Sequence, residues 1–309
     1  MQISFREWND AALAQSAAAT LSNDEVQVWT ARGPADETAL AKLTTVISPD
    51  QHDCAKRFAT DESRREFVFG HAVLRQLLGA CLKVEPATLV FGRQPHGKPF
   101  LLQPGIGRDL SFNLSHSGGM IAIALAWKRK VGVDIEFIHG LEEYWELAPR
   151  IFSTRELGEL RSLHTPQQRA AFFNGWTRKE AYLKATGEGL TDALPAIEVT
   201  LAPGKEPELL DLPAGPKATR LWVIRAIPLP PGFVGAVVFE NNSPSAPGFS
   251  RVAKQHDSIF TKGPSDVFDH ATSEIASGSK MGFDATKKIP GEGFKRARPP
   301  CKSETSLCH

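Results

Sequence analysis

The stretch Val131-Gly132-Val133-Asp134-Ile135-Glu136 alternates apolar and non-apolar residues without a break. A period of two is that of a β-strand, so Val131, Val133 and Ile135 point into a core while Gly132, Asp134 and Glu136 share the other face. Gly132 carries no side chain and leaves room beside the two acids for a ligand. Carboxylates held this close repel unless something positive lies between them, and hard oxygen donors of this kind suit Mg²⁺. Taken alone, the same Asp-x-Glu pair reads more simply as two ordinary acids on a solvent-facing strand.

Upstream, Leu110 to Leu114 and Met120 to Trp127 read as strands, with Ser115 to Gly119 as the loop between them. Gly97-Lys98-Pro99 reads as a turn. From Asp61 to about Val84 the residues Phe67, Val73, Leu74, Leu77, Leu78 and Cys81 recur at helical steps, with Glu62, Arg64 and Arg65 in the first turns. Downstream come three helical patterns: Leu141 to Arg150, a second opened by the capping signature Ser153-Thr154-Arg155-Glu156, and a third from about Pro166 to Thr186 with Gly187 as its C-cap. Short strand-like runs follow at Ala196 to Leu201, Thr219 to Ile227 and Val234 to Phe239. Strands with interposed helices predict layered α+β structure.

On the third helix Trp176, Glu180 and Lys184 stand four residues apart, which stacks a ring, a carboxylate and an ammonium along one stripe. Such a stripe can serve a phosphate ester. It also reads as a favourable Glu-then-Lys helix pair beside a core tryptophan.

The 309 residues are 41% hydrophobic and 23% charged, enough for a real core. A formal net charge of +1 gives no whole-chain argument for nucleic acid or an anionic membrane. Cys54, Cys81, Cys301 and Cys308 show no zinc spacing, His309 included, and are too few to staple a chain this long, which predicts a reducing, cytoplasmic setting. The Ala-rich run Ala11 to Ala19 follows Glu7 and Asp10 and lacks a basic export region, and no apolar stretch is long enough to span a bilayer. After about Asn241 the composition turns to Ser, Pro, Gly and Lys, so residues 245–309 read as a disordered tail, whose basic stretch Lys287 to Lys302 is expected to play no part in catalysis.

His116 is a candidate base, metal ligand or phosphate donor, and Ser115 a candidate nucleophile. No hydrolase spacing supports the last, because Asn113-Leu114-Ser115-His116-Ser117 lacks the glycines of a nucleophile elbow. Gly187-Glu188-Gly189 is a weak Gly-x-Gly, preceded by no strand. The order of segments carries more than any one of them. Gly97-Lys98-Pro99, Phe112-Asn113-Leu114-Ser115-His116-Ser117, Val131 to Glu136, and Trp176-Thr177-Arg178-Lys179-Glu180-Ala181-Tyr182-Leu183-Lys184-Ala185 with Gly187 and Gly189 closely resemble the 4′-phosphopantetheinyl transferase superfamily. The resemblance spans residues 45 to 240 and is to the surfactin-synthetase-activating type rather than to the short trimeric holo-acyl-carrier-protein synthases.

That resemblance implies an α+β fold of two pseudo-symmetric halves with the site between them: residues 1–127 on the coenzyme A side and 128–244 carrying the metal and the catalytic helix. It implies that Asp134, Glu136 and Glu180 bind Mg²⁺, that Lys184 contacts the phosphates, and that Glu180, directly or through a metal-bound water, takes the proton of the acceptor serine. Lys98, Ser115 and His116 match positions that hold the nucleotide end of coenzyme A. Lys56, Arg57, Arg64 and Arg65 fall where the family keeps cations for the 3′-phosphate. Trp176 is expected to pack beneath the site. The implied partners are coenzyme A and an apo acyl carrier protein or peptidyl carrier domain, with no nucleic acid and no membrane, for a monomeric cytoplasmic enzyme. The alternatives are a Mg²⁺-dependent phosphoesterase or nuclease using the same acids, and a coenzyme A or carrier-protein binding module without turnover.

Overall fold

A computed structural model describes residues 2–9, 21–33, 37–102, 109–138, 144–189 and 194–241. The expectations for Ala11 to Ala19, for the tail at 245–309, and for Cys301, Cys308 and His309 lie outside these residues.

Strands β1 (Gln2–Glu7), β2 (Glu25–Arg32), β5 (Leu110–Ser117) and β6 (Met120–Trp127) form a sheet in the order β1-β2-β6-β5. Only the β1–β2 pair is parallel. Between β2 and β5 in sequence lie the small hairpin β3 (Phe91–Arg93) and β4 (Pro99–Leu101), whose turn contains Gly97 at φ 87°. Strand β6 is apolar throughout, and its side chains alternate in size. Ile121, Ile123 and Leu125 pack with Phe69, Val73 and Leu77 of a 22-residue helix, Asp61–Leu82, while Ala122, Ala124 and Ala126 face the other way. Each large side chain so buried contributes about 1.5–3 kcal/mol, and the small ones let a second layer approach closely.

We label the helices α1 (Glu37–Thr44), α2 (Pro49–Ala55), α3 (Asp61–Leu82), α4 (Tyr144–Ile151), α5 (Thr154–Ser162) and α6 (Thr165–Thr186). Helix α3 starts where the Thr60 hydroxyl accepts from the Ser63 N–H, and α6 ends at Gly187 in the left-handed region (φ 80°). The Ser153–Glu156 capping box opens α5 as its sequence predicts.

The second layer is the antiparallel sheet β10 (Trp222–Ala226), β11 (Phe233–Glu240) and β7 (Val131–Phe137), in that order. Val131, Val133 and Ile135 of β7 join Val237 and Phe239 of β11 against the alanine face of β6. The opposite face of β7 lies under α6, so Gly132 and Asp134 are buried rather than solvent-facing.

Three sequence expectations need correction. Ser115 and His116 belong to strand β5, not to a loop, because Gly118 and Gly119, both at positive φ (57° and 76°), close a two-residue hairpin turn and Ser117 pairs with Met120. The run from Ala196 to Leu201 contains only the two-residue strand β8 (Glu198–Val199), which pairs with β9 (Leu209–Asp211). Residues 216–221 form a 3₁₀ helix, so the strand expected from Thr219 begins at Trp222.

Candidate active site

Strand β7 and helix α6 touch through their main chains. A Cβ at Gly132 would run into the Ala181 carbonyl oxygen and the Ala185 amide nitrogen. This contact brings the carboxylate face of the strand against the helix stripe of Trp176, Glu180 and Lys184. Asp134 is fully buried, Glu180 and Trp176 are buried, and Glu136 is half-buried.

The ammonium of Lys184 donates to Asp134 Oδ1 at 2.6 Å, to Ser115 Oγ at 3.1 Å and to the Val133 carbonyl at 3.2 Å. Ser115 Oγ in turn donates to Asp134 Oδ1 at 2.8 Å, and Ser117 Oγ donates to Glu136 Oε2 at 2.8 Å. Thus the structure turns Ser115 toward the acids and the lysine.

The donors of Asp134, Glu136 and Glu180 are all carboxylate oxygens, drawn from one strand face and the helix above it. That chemistry fits a hard divalent cation, which would offset the excess of three carboxylates over one ammonium. Among the described residues no three His, Cys, Asp or Glu side chains are gathered into a ready-made cage. Asp134 is instead neutralised by Lys184.

His116, neighbour to this cluster on β5, is half-exposed. Its Nδ1 lies 3.1 Å from Glu66 Oε2, and Glu66 Oε1 accepts the Gly119 N–H at 2.7 Å. Burial raises the Glu66 carboxyl, but the hydrogen bonds from His116 and Gly119 outweigh it and hold the group below its ordinary value. Through Glu66 the first turns of α3 reach the His116 end of the hairpin. Arg64 and Arg65 sit on those turns, paired with Asp61 and Glu37 respectively, while Arg57 and Lys56 lie exposed after α2, Lys56 on Asp53.

Lys98 stands elsewhere. Its Nζ donates to the carbonyls of Val131 (3.0 Å) and Ala185 (3.1 Å), at the start of β7 and the end of α6. Burial pushes its pKa down to about 8, helped by the nearby charge of Lys130. Both lysines border a cleft of about 520 Å³, also lined by Phe112 and Thr186. Five residues of strand, roughly 16 Å at 3.3 Å per residue, separate this point from the level of Glu136, so Lys98 and His116 do not meet.

Sequence reasoning missed four further side chains. Lys179 is fully buried and donates to Glu156 Oε2 (2.6 Å), Ile151 O (2.8 Å) and Leu194 O (3.0 Å), while Glu156 Oε1 accepts the Val199 N–H. Burial opposes both charges, lowering the lysine and raising the acid. The pair ties α6 to α5 and to the chain around β8. Its only sequence signal was the capping glutamate. Asn113 and Ser117 flank Ser115 at alternate positions of β5, and polar residues at period two in a strand were the signal for them. Glu66 lies four residues before Gly70, on the α3 face that meets Leu114 and Ile121 of the hairpin; an acid on a packing face was its signal.

No helix among the described residues is long and apolar enough to cross a membrane. Residues 30–128 match the model of the N-terminal part of 4′-phosphopantetheinyl transferases, and residues 130–237 match the model of the 4′-phosphopantetheinyl transferase superfamily. A 4′-phosphopantetheinyl transferase of Bacillus subtilis is 31% identical over 160 residues, 52% of this chain and 69% of its own. The Sfp transferase of Bacillus subtilis is 27% identical over 168 residues, 54% of this chain and 72% of its own. The 4′-phosphopantetheinyl transferase HetI of a Nostoc species is 41% identical over 197 residues, which are 63% of this chain and 82% of that relative. With that much of a relative spanned at that identity, and with both family models falling on the two sheets that frame the Asp134–Lys184 cluster, the chain belongs to the 4′-phosphopantetheinyl transferase superfamily.

Proposed function

We propose that the protein transfers the 4′-phosphopantetheine arm of coenzyme A to a serine of an apo acyl or peptidyl carrier protein, using Mg²⁺. The observation that carries this reading is the junction of Asp134, Ser115 and Lys184, where a buried acid, a hydroxyl and an ammonium meet beneath the helix that holds Glu180. In the reaction the serine oxygen forms a bond to the β-phosphorus of coenzyme A. The bond from that phosphorus to the bridging oxygen breaks, and 3′,5′-ADP leaves. Phosphoryl transfer of this kind needs alignment and charge stabilisation more than covalent help.

A divalent ion held by Asp134, Glu136 and Glu180 would neutralise the pyrophosphate and orient it. Lys184, already directed into the cluster, would move onto the phosphate oxygens as charge develops. Glu180, directly or through a bound water, would accept the serine proton. His116 and Ser115, with Arg57, Arg64 and Arg65, and Lys98 at the other end of β7, are the residues assigned to the nucleotide end of coenzyme A. Trp176, buried on α6, fixes the helix that carries Glu180. In this reading residues 1–127 and 128–244 form the two halves, the protein works as a cytoplasmic monomer, and a chain ended at residue 244 retains transfer.

Intact-protein mass spectrometry of an apo carrier domain, incubated with the protein, coenzyme A and Mg²⁺, tests the proposal. The expected result is a gain of about 340 Da, abolished by EDTA. Breakdown of coenzyme A without modification of the carrier would indicate a phosphoesterase instead, and binding without either change a module lacking turnover. Asp134→Ala should abolish the gain while leaving the fold largely intact; near-wild-type transfer by that variant would sink the metal assignment.

A further inference from the structure

Strands β5 and β7 each close the edge of a different sheet, so neither finds a backbone partner in the other. They lie side by side nonetheless, joined by side chains at a constant offset of twenty residues. Asn113 Oδ1 accepts the Val133 N–H at 2.8 Å, Ser115 Oγ the Ile135 N–H at 3.3 Å, and Ser117 Oγ the Phe137 N–H at 3.0 Å. The three side chains of one strand thus satisfy the open edge of the next.

A serine hydroxyl has one proton and two lone pairs. With one lone pair committed to a fixed main-chain N–H, the directions left to its proton are few. In both serines that proton goes to the acid just before the N–H it accepts: Ser115 to Asp134, Ser117 to Glu136, each at 2.8 Å. Opposite Asn113 the corresponding residue is Gly132, which has no carboxylate to hold, and there the bridging side chain is an amide. The chemistry of β5 therefore follows that of β7 position by position.

We propose that Ser117 is a positioning residue that fixes the carboxylate of Glu136 for the divalent cation, whereas Asn113 joins the two strands without orienting an acid. This rests on the metal reading given above. Glu136 is the half-exposed member of the acid pair and has more rotatable bonds than Asp134, so the hydrogen bond from Ser117 narrows its orientations more.

The test is a Mn²⁺ titration of the full chain, with coenzyme A present, followed by electron paramagnetic resonance. Ser117→Ala should weaken Mn²⁺ binding by about 10-fold, and Ser117→Thr, which keeps the hydroxyl, should restore it. In a Glu136→Gln background the Ser117→Ala change should have no further effect, because its partner is already altered. Asn113→Ala, which removes an acceptor from the joint and touches no acid, should lower the melting temperature and leave Mn²⁺ affinity within about two-fold. Wild-type affinity in Ser117→Ala, or an equal loss in the Glu136→Gln background, overturns the positioning role while the transferase reading stands. Failure of the wild-type protein to take up Mn²⁺ overturns the divalent-ion reading and the positioning role with it.

Discussion

Helix α6 carries two lysines that each meet an acid at 2.6 Å, Lys179 on Glu156 and Lys184 on Asp134. They stand five residues apart, about 140° around a helix of 3.6 residues per turn, and so face different neighbours. The Lys179 pair is sealed: its side chains are 0% and 2% exposed, and the remaining ammonium protons go to two carbonyls. The Lys184 side chain is 17% exposed, and its other contacts are a serine hydroxyl and a carbonyl of the strand that holds the acids. The same chemistry at the same distance therefore does two jobs. One pair locks three parts of the chain together; the other, in the proposed reaction, would exchange its partner for a phosphate.

The contrast is most directly broken at the sealed pair. Lys179→Met leaves the Glu156 carboxylate buried without its cation, and should cost about 3–5 kcal/mol of stability in urea unfolding. A loss below about 1 kcal/mol would show that the pair is not the lock described. Next in size is Lys184→Met, which should reduce kcat by about 10²–10³-fold. Its cost in urea unfolding should be under half that of Lys179→Met, since the Ser115 hydroxyl still donates to Asp134 and the Lys184 side chain itself reaches solvent; equal destabilisation would erase the distinction.

Lys98 sharpens the comparison from a third side, because its ammonium bonds two carbonyls and no acid. Its folded pKa of about 8 lies below the ordinary 10.5, so between those values the unfolded chain holds a proton that the folded chain does not. Stability from this group is then lowest below pH 8 and rises as pH climbs toward 10.5. The difference in unfolding free energy between the wild type and Lys98→Met should shift by an amount of order 1 kcal/mol across that window, the smallest of these effects. A flat difference would mean that the lysine keeps its ordinary affinity for protons.

Much of the carboxylate strand, of α5 and of α6 was legible in the sequence, because the strand is set by local periodicity and the helices also by caps, the Ser153–Glu156 box for α5 and Gly187 for α6. What escaped was set by partners distant in the chain. Ser115, His116 and Ser117 are polar and precede two glycines, which locally means a loop. They are in a strand because they pair with Ala122, Ile121 and Met120 of β6, and the two serines then meet the edge of β7, twenty residues on. Strands β1 and β2 alternate locally, in Gln2-Ile3-Ser4-Phe5-Arg6 and Glu25-Val26-Gln27-Val28, yet went unpredicted; what no local pattern shows is that Glu25 and Gln27 are buried, within a hydrogen-bonded group with Ser4 and Trp29. The role of Lys179 was hidden for the same reason, since its acid lies 23 residues upstream.

Gly132 has one more consequence. Because main-chain atoms of β7 and α6 meet there with no side chain between them, the gap between the acids and Glu180 is set by backbone-to-backbone contact rather than by the volume of packed side chains. Substitutions that swell or shrink the surrounding core can alter how firmly the protein folds, yet they have no spacer through which to widen or narrow the site. The enzyme keeps its gauge in the one residue that has nothing to mutate away.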